Sequence, residues 1–216
     1  MVEGVRSRSR CEELLGGLGD LRTQYGGTLR HPVTFRPGFD DLQYSQSANA
    51  ITTHTEAPGH DPPPRYLALH CHRQARCGGG HTVLADGHRL VSSLPPALFA
   101  EARRREIRFD LAAGTPDAKA APLWGSAGDG TPILRYSYNV MRDGRLEGPA
   151  RRSDDLDGID PFFRELCRRG LELTGREGSA VLVPDDALLI FDNWRMLHSR
   201  GGFRDRSRHL TRYWVG

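Results

Sequence analysis

Pro184-Asp185-Asp186-Ala187-Leu188-Leu189-Ile190-Phe191-Asp192-Asn193-Trp194-Arg195-Met196-Leu197-His198-Ser199-Arg200 is the stretch on which the fold turns. Five apolar residues, Ala187 to Phe191, lie between a Pro-Asp-Asp turn signal and an Asp-Asn pair. A run this short, closed at both ends by turn formers, reads as a buried strand; a helix would need ten residues or more. His198 then lies just past a buried strand end, where a rigid scaffold can fix a ligand. Asp192, Asn193 and Arg195 stand where they can orient its ring, as ligating histidines usually require.

Outward from this run the chain divides into short segments. Strands are predicted over residues 28–35, 50–54, 66–71, 82–84, 107–109, 133–140, 180–183 and 209–215. Helices are predicted over 11–21, where Leu14, Leu15, Leu18 and Leu21 form a stripe, and over 95–105. A third begins at Asp160-Pro161, a cap residue before a proline at the first helical position, and runs to about Leu173. Residues 114–130, rich in Gly, Pro, Ala and Asp, predict a loop: a mobile lid or a plain surface connection. Many short strands with a few helices predict a mainly β sandwich or barrel with flanking helices. The length of 216 residues fits a single domain spanning 1–216, with residues 1–10 disordered.

The second informative segment is His54-Thr55-Glu56, with His198 following 142 residues after Glu56. In a strand, residues i and i+2 share a face, so His54 and Glu56 can grip one ion from one side. A second imidazole from His198 completes two nitrogens and a carboxylate on one face of a metal. That donor set leaves positions open and suits non-haem Fe(II).

Composition narrows the alternatives. Charged residues make up 26%, the net charge is +3, and Lys119 is the only lysine. The arginines are scattered among Asp and Glu rather than gathered in a stripe, so no nucleic-acid partner is expected. No apolar run reaches the roughly 18–20 residues that cross a bilayer, and Met1 to Arg10 lacks an apolar signal core, so no membrane association and a cytoplasmic location are expected. Cys11, Cys71, Cys77 and Cys167 show no disulfide spacing, and Cys71, His72, Cys77 and His81 do not match paired zinc-ligand spacings. A zinc hydrolase would need Glu56 as a base rather than a ligand. Gly125-Ser126-Ala127-Gly128 lacks the glycine pattern of a nucleophile elbow.

These motifs together carry a resemblance. His54-x-Glu56, Gly79-Gly80-His81-Thr82, Asp192-Asn193-x-Arg195-x-x-His198-x-Arg200 and the trailing Arg208 resemble the Fe(II)/2-oxoglutarate dioxygenases related to taurine dioxygenase. Asn193-Trp194-Arg195 and Arg208-His209-Leu210 are similar to γ-butyrobetaine hydroxylase, and glutamate at position 56 is similar to the clavaminate synthase-like hydroxylases. The resemblance covers about residues 50–214; the chain is short for that superfamily, so the insertions that cover substrate are expected to be reduced.

The resemblance implies a double-stranded β-helix, or jelly roll, with His54, Glu56 and His198 as ligands to Fe(II) at its mouth. It implies 2-oxoglutarate as co-substrate and O2 as oxidant, with Arg208 pairing with the distal carboxylate and Thr82 assisting. A planar guanidinium suits that task because it forks onto a carboxylate. Because Glu56 is present, hydroxylation is preferred to halogenation. Desaturation or cyclisation on the same iron, or a metal-binding jelly roll without activity, are the alternatives. Arg135 and Asn139 share a face of the predicted 133–140 strand, and Arg212 shares one with Arg208; these are the candidate contacts for a small polar substrate, an amino acid or derivative. An oligomer is compatible with all of this.

Overall fold

The computed structural model describes residues 1–109, 120–150 and 154–216. In chain order the elements are α1 (Arg8–Gly16), β1 (Leu21–Arg22), β2 (His31–Thr34), β3 (Ile51–His54), β4 (Tyr66–Arg73), β5 (Thr82–Asp86), α2 (Gly87–Ser92), α3 (Pro96–Arg104) and β6 (Glu106–Arg108). Then come β7 (Ala120–Pro122), β8 (Trp124–Ser126), β9 (Pro132–Leu134), α4 (Tyr138–Asp143), α5 (Pro161–Glu177), β10 (Ser179–Val181), β11 (Ala187–Asp192), β12 (Met196–Arg200) and β13 (His209–Val215).

Two antiparallel sheets dominate. One follows the order β1-β13-β4-β11, with β2 also paired to β13; the other follows β10-β5-β12-β3. β6 with β7 and β8 with β9 form separate two-stranded pairs. Strand alternation explains the layering. On β4, Leu67, Leu69 and Cys71 face one way and join Leu189, Phe191, Leu210 and Trp214, with Leu84, Val181 and Met196 of the second sheet against them. Ala68, Leu188, Tyr213 and Val215 face the other way and are covered by Cys11 and Leu15 of α1. Behind the second sheet, Ala85 and Leu197 pack with Leu90, Leu166 and Leu173 of α2 and α5. β4 and β11 are therefore buried on both faces, which is why Ala187 to Phe191 reads as unbroken apolar sequence.

Several expectations change here. Residues 1–10 are not disordered: Val2 bridges to Leu188, Val5 is buried, and Ser7 caps α1 by accepting from the Arg10 N–H. The helix expected over 11–21 stops at Gly16, and Leu21 pairs with Val215 in β1. The strand expected over 133–140 ends at Leu134, because Ser137 accepts from the Val140 N–H and caps α4. Within the 114–130 loop, residues 120–122 and 124–126 are strands, and 114–119 lie outside the described residues. Finally, His198 is not past a strand end but in the middle of β12, in the sheet opposite β11. The short turn at 193–195 carries the chain from one sheet to the other.

Candidate metal centre

β3 and β12 are neighbours, and their register sets His54 directly opposite His198, with ring centroids 4.1 Å apart. Glu56 follows two residues after β3 ends. Its carboxylate Oε2 lies 4.0 Å from His198 Nε2. The donor atoms of His54, Glu56 and His198 all lie within 4.8 Å of one another, and among the described residues no other group of three such side chains meets that condition. Cys71, His72, Cys77 and His81 do not converge.

Each donor is prepared by its surroundings. The His54 Nδ1–H donates to the Thr52 carbonyl at 2.7 Å, which leaves Nε2 as the free lone pair. Burial lowers the pKa of His54 and lowers that of His198 further, with the neighbouring imidazole and Arg212 adding to the effect at His198. Both rings are therefore held neutral, the form that binds a metal. Glu56 is fixed at its backbone, where its N–H donates to Asn193 Oδ1 at 2.6 Å and its carbonyl accepts from Asn193 Nδ2 at 3.0 Å. Its carboxylate is held by Arg212, whose Nη1 lies 2.9 Å from Oε1 and whose Nε donates to Gln24 Oε1. Two neutral imidazoles and one oriented carboxylate, nearly closed on a common point, fit a two-histidine, one-carboxylate metal.

Two cavities meet at these donors. The first, of about 60 Å³, is lined by Thr82, His198, Arg208 and the apolar Val33, Leu67 and Leu69. Arg208 is 1% exposed, donating from Nε to Gln74 and from Nη2 to the Gly80 carbonyl, yet its buried Nη1 has no hydrogen-bond partner. Burial lowers its pKa to about 10, so it stays charged at neutral pH. A buried cation with a spare donor, in an apolar pocket beside a metal site, suits a carboxylate. Thr82 is buried in the same cavity, opposite Arg200 in the β5–β12 register.

The second cavity, of about 110 Å³, is lined by His54, Glu56, Tyr25, Asn139, Glu147 and Arg212 among others. A larger one, of about 560 Å³, lies between α5 and Thr53 and Ser199. Those two residues alternate with His54 and His198 along their strands, and none of the three donors lines it. The chemistry therefore belongs to the two smaller cavities.

Of the other sequence candidates, Asn139 lines the second cavity but Arg135 does not. Arg135 is buried and spends its guanidinium on the Pro58 and His60 carbonyls and on Asp61, bracing the loop after Glu56. Two residues were missed. Arg200, two after His198 in the quoted motif, donates to the carbonyls of Tyr44, Ser45, Ser47 and Asn49 and so folds the segment that leads into β3. Glu147 had no sequence signal, since it stands in an irregular segment between α4 and α5.

The taurine catabolism dioxygenase TauD, TfdA family model matches residues 5–176, a span that holds His54 and Glu56 but ends before His198. No curated protein sequence matches the chain. Among solved structures, asparagine oxygenase in complex with Fe(II), 2S,3S-3-hydroxyasparagine and succinate is 19% identical, with a TM-score of 0.75 over 100% of this chain and 69% of that one. The non-haem iron oxygenase OrfP with Fe, succinate and (3R,4R)-dihydroxy-L-Arg is 17% identical, with a TM-score of 0.69 over 96% of this chain and 65% of that one. OrfP with Fe and α-ketoglutaric acid gives 18% and 0.68, over 100% and 69%. At these identities the likeness is one of fold, and the chain spans about two thirds of the length of those oxygenases.

Proposed function

We infer, from the premise that this chain belongs to the TauD/TfdA dioxygenase family, that it is an Fe(II)- and 2-oxoglutarate-dependent oxygenase hydroxylating an aliphatic carbon of an amino acid or close derivative. The observation that carries this reading is the convergence of His54, Glu56 and His198 beside the unpartnered Nη1 of Arg208. Asparagine oxygenase and OrfP, whose structures hold hydroxylated amino acids, support the substrate class. The two facing antiparallel sheets support a double-stranded β-helix.

His54 Nε2, His198 and Glu56 would hold the iron. When bound, it supplies activation of O2 coupled to oxidation of 2-oxoglutarate to succinate and CO2. The chain's own work is positional. Arg208 pairs with the distal carboxylate of the co-substrate and Thr82 hydrogen-bonds to it. Arg212 keeps the Glu56 carboxylate turned toward the metal and faces the substrate cavity. Leu67, Leu69 and Val33 exclude water from the co-substrate.

The test is anaerobic addition of Fe(II) and 2-oxoglutarate. A weak visible charge-transfer band should develop, and succinate should form once air is admitted. Both should be absent from His54→Ala and His198→Ala protein. A band of unchanged strength in either variant would remove the proposal.

A further inference from the structure

The second cavity holds three charged side chains, Glu56, Arg212 and Glu147. Glu56 and Arg212 are paired with each other at 2.9 Å. Among the described residues Glu147 has no hydrogen bond or ion pair, so the described lining of the cavity carries one negative charge without a counter-charge of its own. Its carboxylate is half-buried, and that burial raises its pKa. Stripping water from an unpaired carboxylate is costly, and an exposed surface glutamate would avoid the cost by turning to solvent.

The backbone around Glu147 is built to hold it there. The Leu146 carbonyl accepts from Asn139 Nδ2 at 3.0 Å, and Asn139 Oδ1 accepts from Thr52 Oγ1 at 2.8 Å. Thr52 is the residue whose carbonyl receives His54 Nδ1–H. On the other side, the Gly148 carbonyl accepts from the Gln43 N–H, and Pro149 bridges to Leu42. A Cβ at position 148 would lie 2.6 Å from the Asn139 side chain, so the glycine lets this segment press onto its support. The segment is thus pinned on both flanks of Glu147, in the lining of the cavity that His54 and Glu56 share.

Resting on the function proposed above, we propose that Glu147 is a specificity-determining residue: it receives a cationic group of the substrate, so the enzyme acts on an amino acid presenting an ammonium or guanidinium to this side of the cavity. A half-buried carboxylate without its own counter-ion gains from a ligand cation, and it disfavours neutral and anionic analogues. The cation is the α-ammonium or a side-chain group, and the two are separable by ligand choice.

The test uses anaerobic protein loaded with Fe(II) and 2-oxoglutarate, titrated calorimetrically with L-arginine, L-ornithine, L-norleucine and Nα-acetyl-L-arginine. Norleucine keeps only the α-ammonium; the acetylated arginine keeps only the side-chain cation. At least one cationic probe should bind, and Glu147→Gln should weaken it at least about tenfold, with Glu147→Asp recovering most of the loss. In the aerobic succinate assay the Gln variant should raise the probe's KM more than it lowers kcat, and the arm that loses affinity identifies the cation. The inference is overturned if no cationic probe binds, or if wild type and Glu147→Gln bind alike. Failure of the parent reading is distinct: wild-type protein would then show neither the charge-transfer band nor any succinate, whatever the probe.

Discussion

Asn193 holds the Glu56 backbone at both of its polar groups, accepting from its N–H at 2.6 Å and donating to its carbonyl at 3.0 Å, while the same amide also donates to the Pro64 carbonyl. It is fully buried, so none of these bonds can be replaced by bulk water. A residue of the turn between the sheets thus fixes the backbone of Glu56, the candidate carboxylate ligand of the metal site.

Replacing Asn193 by alanine should therefore reach the metal without touching a ligand. Loss of an outer partner typically costs 10–100-fold in metal affinity. Titration of Asn193→Ala with Co(II) as a spectroscopic stand-in for Fe(II) should give a Kd raised by about that range. A Kd equal to wild type would show that Glu56 keeps its place unaided.

Arg208→Lys tests the forked donor. The guanidinium is already anchored by Gln74 and Gly80, which leaves Nη1 for the co-substrate. Lysine offers a single point charge and cannot keep the Gln74 and Gly80 anchors while presenting a further donor in the same plane. Affinity for 2-oxoglutarate, read from the charge-transfer band, should fall at least about tenfold, the effect of roughly 1.4 kcal/mol. Unchanged affinity would assign the distal carboxylate to another cation.

Gly170 on α5 gives a stability prediction. A Cβ there would lie 2.1 Å from the Tyr136 hydroxyl, which donates to the Leu166 carbonyl from a fully buried ring. The Tyr136 backbone in turn exchanges hydrogen bonds with Thr55, between the candidate ligands His54 and Glu56. Gly170→Ala should lower stability by about 1–3 kcal/mol in urea unfolding, the usual cost of overpacking. A neutral or stabilising result would mean the helix slides away freely.

Acid sensitivity is expected at Asp160. Its carboxylate pairs with Arg105 at 2.9 and 3.0 Å and caps α5 by accepting from the Phe162 and Phe163 N–H groups. The Arg105 contact is the main cause holding its pKa below the ordinary value. A carboxyl depressed in the folded state stabilises fully above its unfolded pKa of about 3.9 and loses that contribution as pH falls through the folded value. Asp160→Ala should cost about 1 kcal/mol at neutral pH as a lost cap. Asp160→Asn should keep much of the cap while flattening the acid limb of stability against pH. An unchanged acid limb in Asp160→Asn would remove the assignment.

The candidate pair His54 and Glu56 was legible from its two-residue spacing, but not because both lie in a strand, since β3 ends at His54 and Glu56 stands in the bend beyond it. β13 was read at its true bounds from apolar alternation. His198 was identified but set in the wrong element, since nothing in Asp192-Asn193-Trp194-Arg195 reveals that three residues suffice to pass between sheets. The 133–140 segment misled because Tyr138, Asn139 and Val140 suit a strand, while a single hydroxyl, Ser137, commits them to α4. Arg135 and Arg212 looked alike in sequence. One braces a loop and the other clasps Glu56, and those partners come from distant segments that local pattern does not encode.

Asn139 joins Thr52, at the base of His54, to Leu146, beside Glu147. Floor and roof of the cavity are therefore riveted through this amide, with Gln43 as a second tie from Thr52 to Gly148, and they cannot drift apart independently. Retargeting such an enzyme to a bulkier molecule would have to begin at that rivet, since lengthening the roof alone leaves it clamped at its original height.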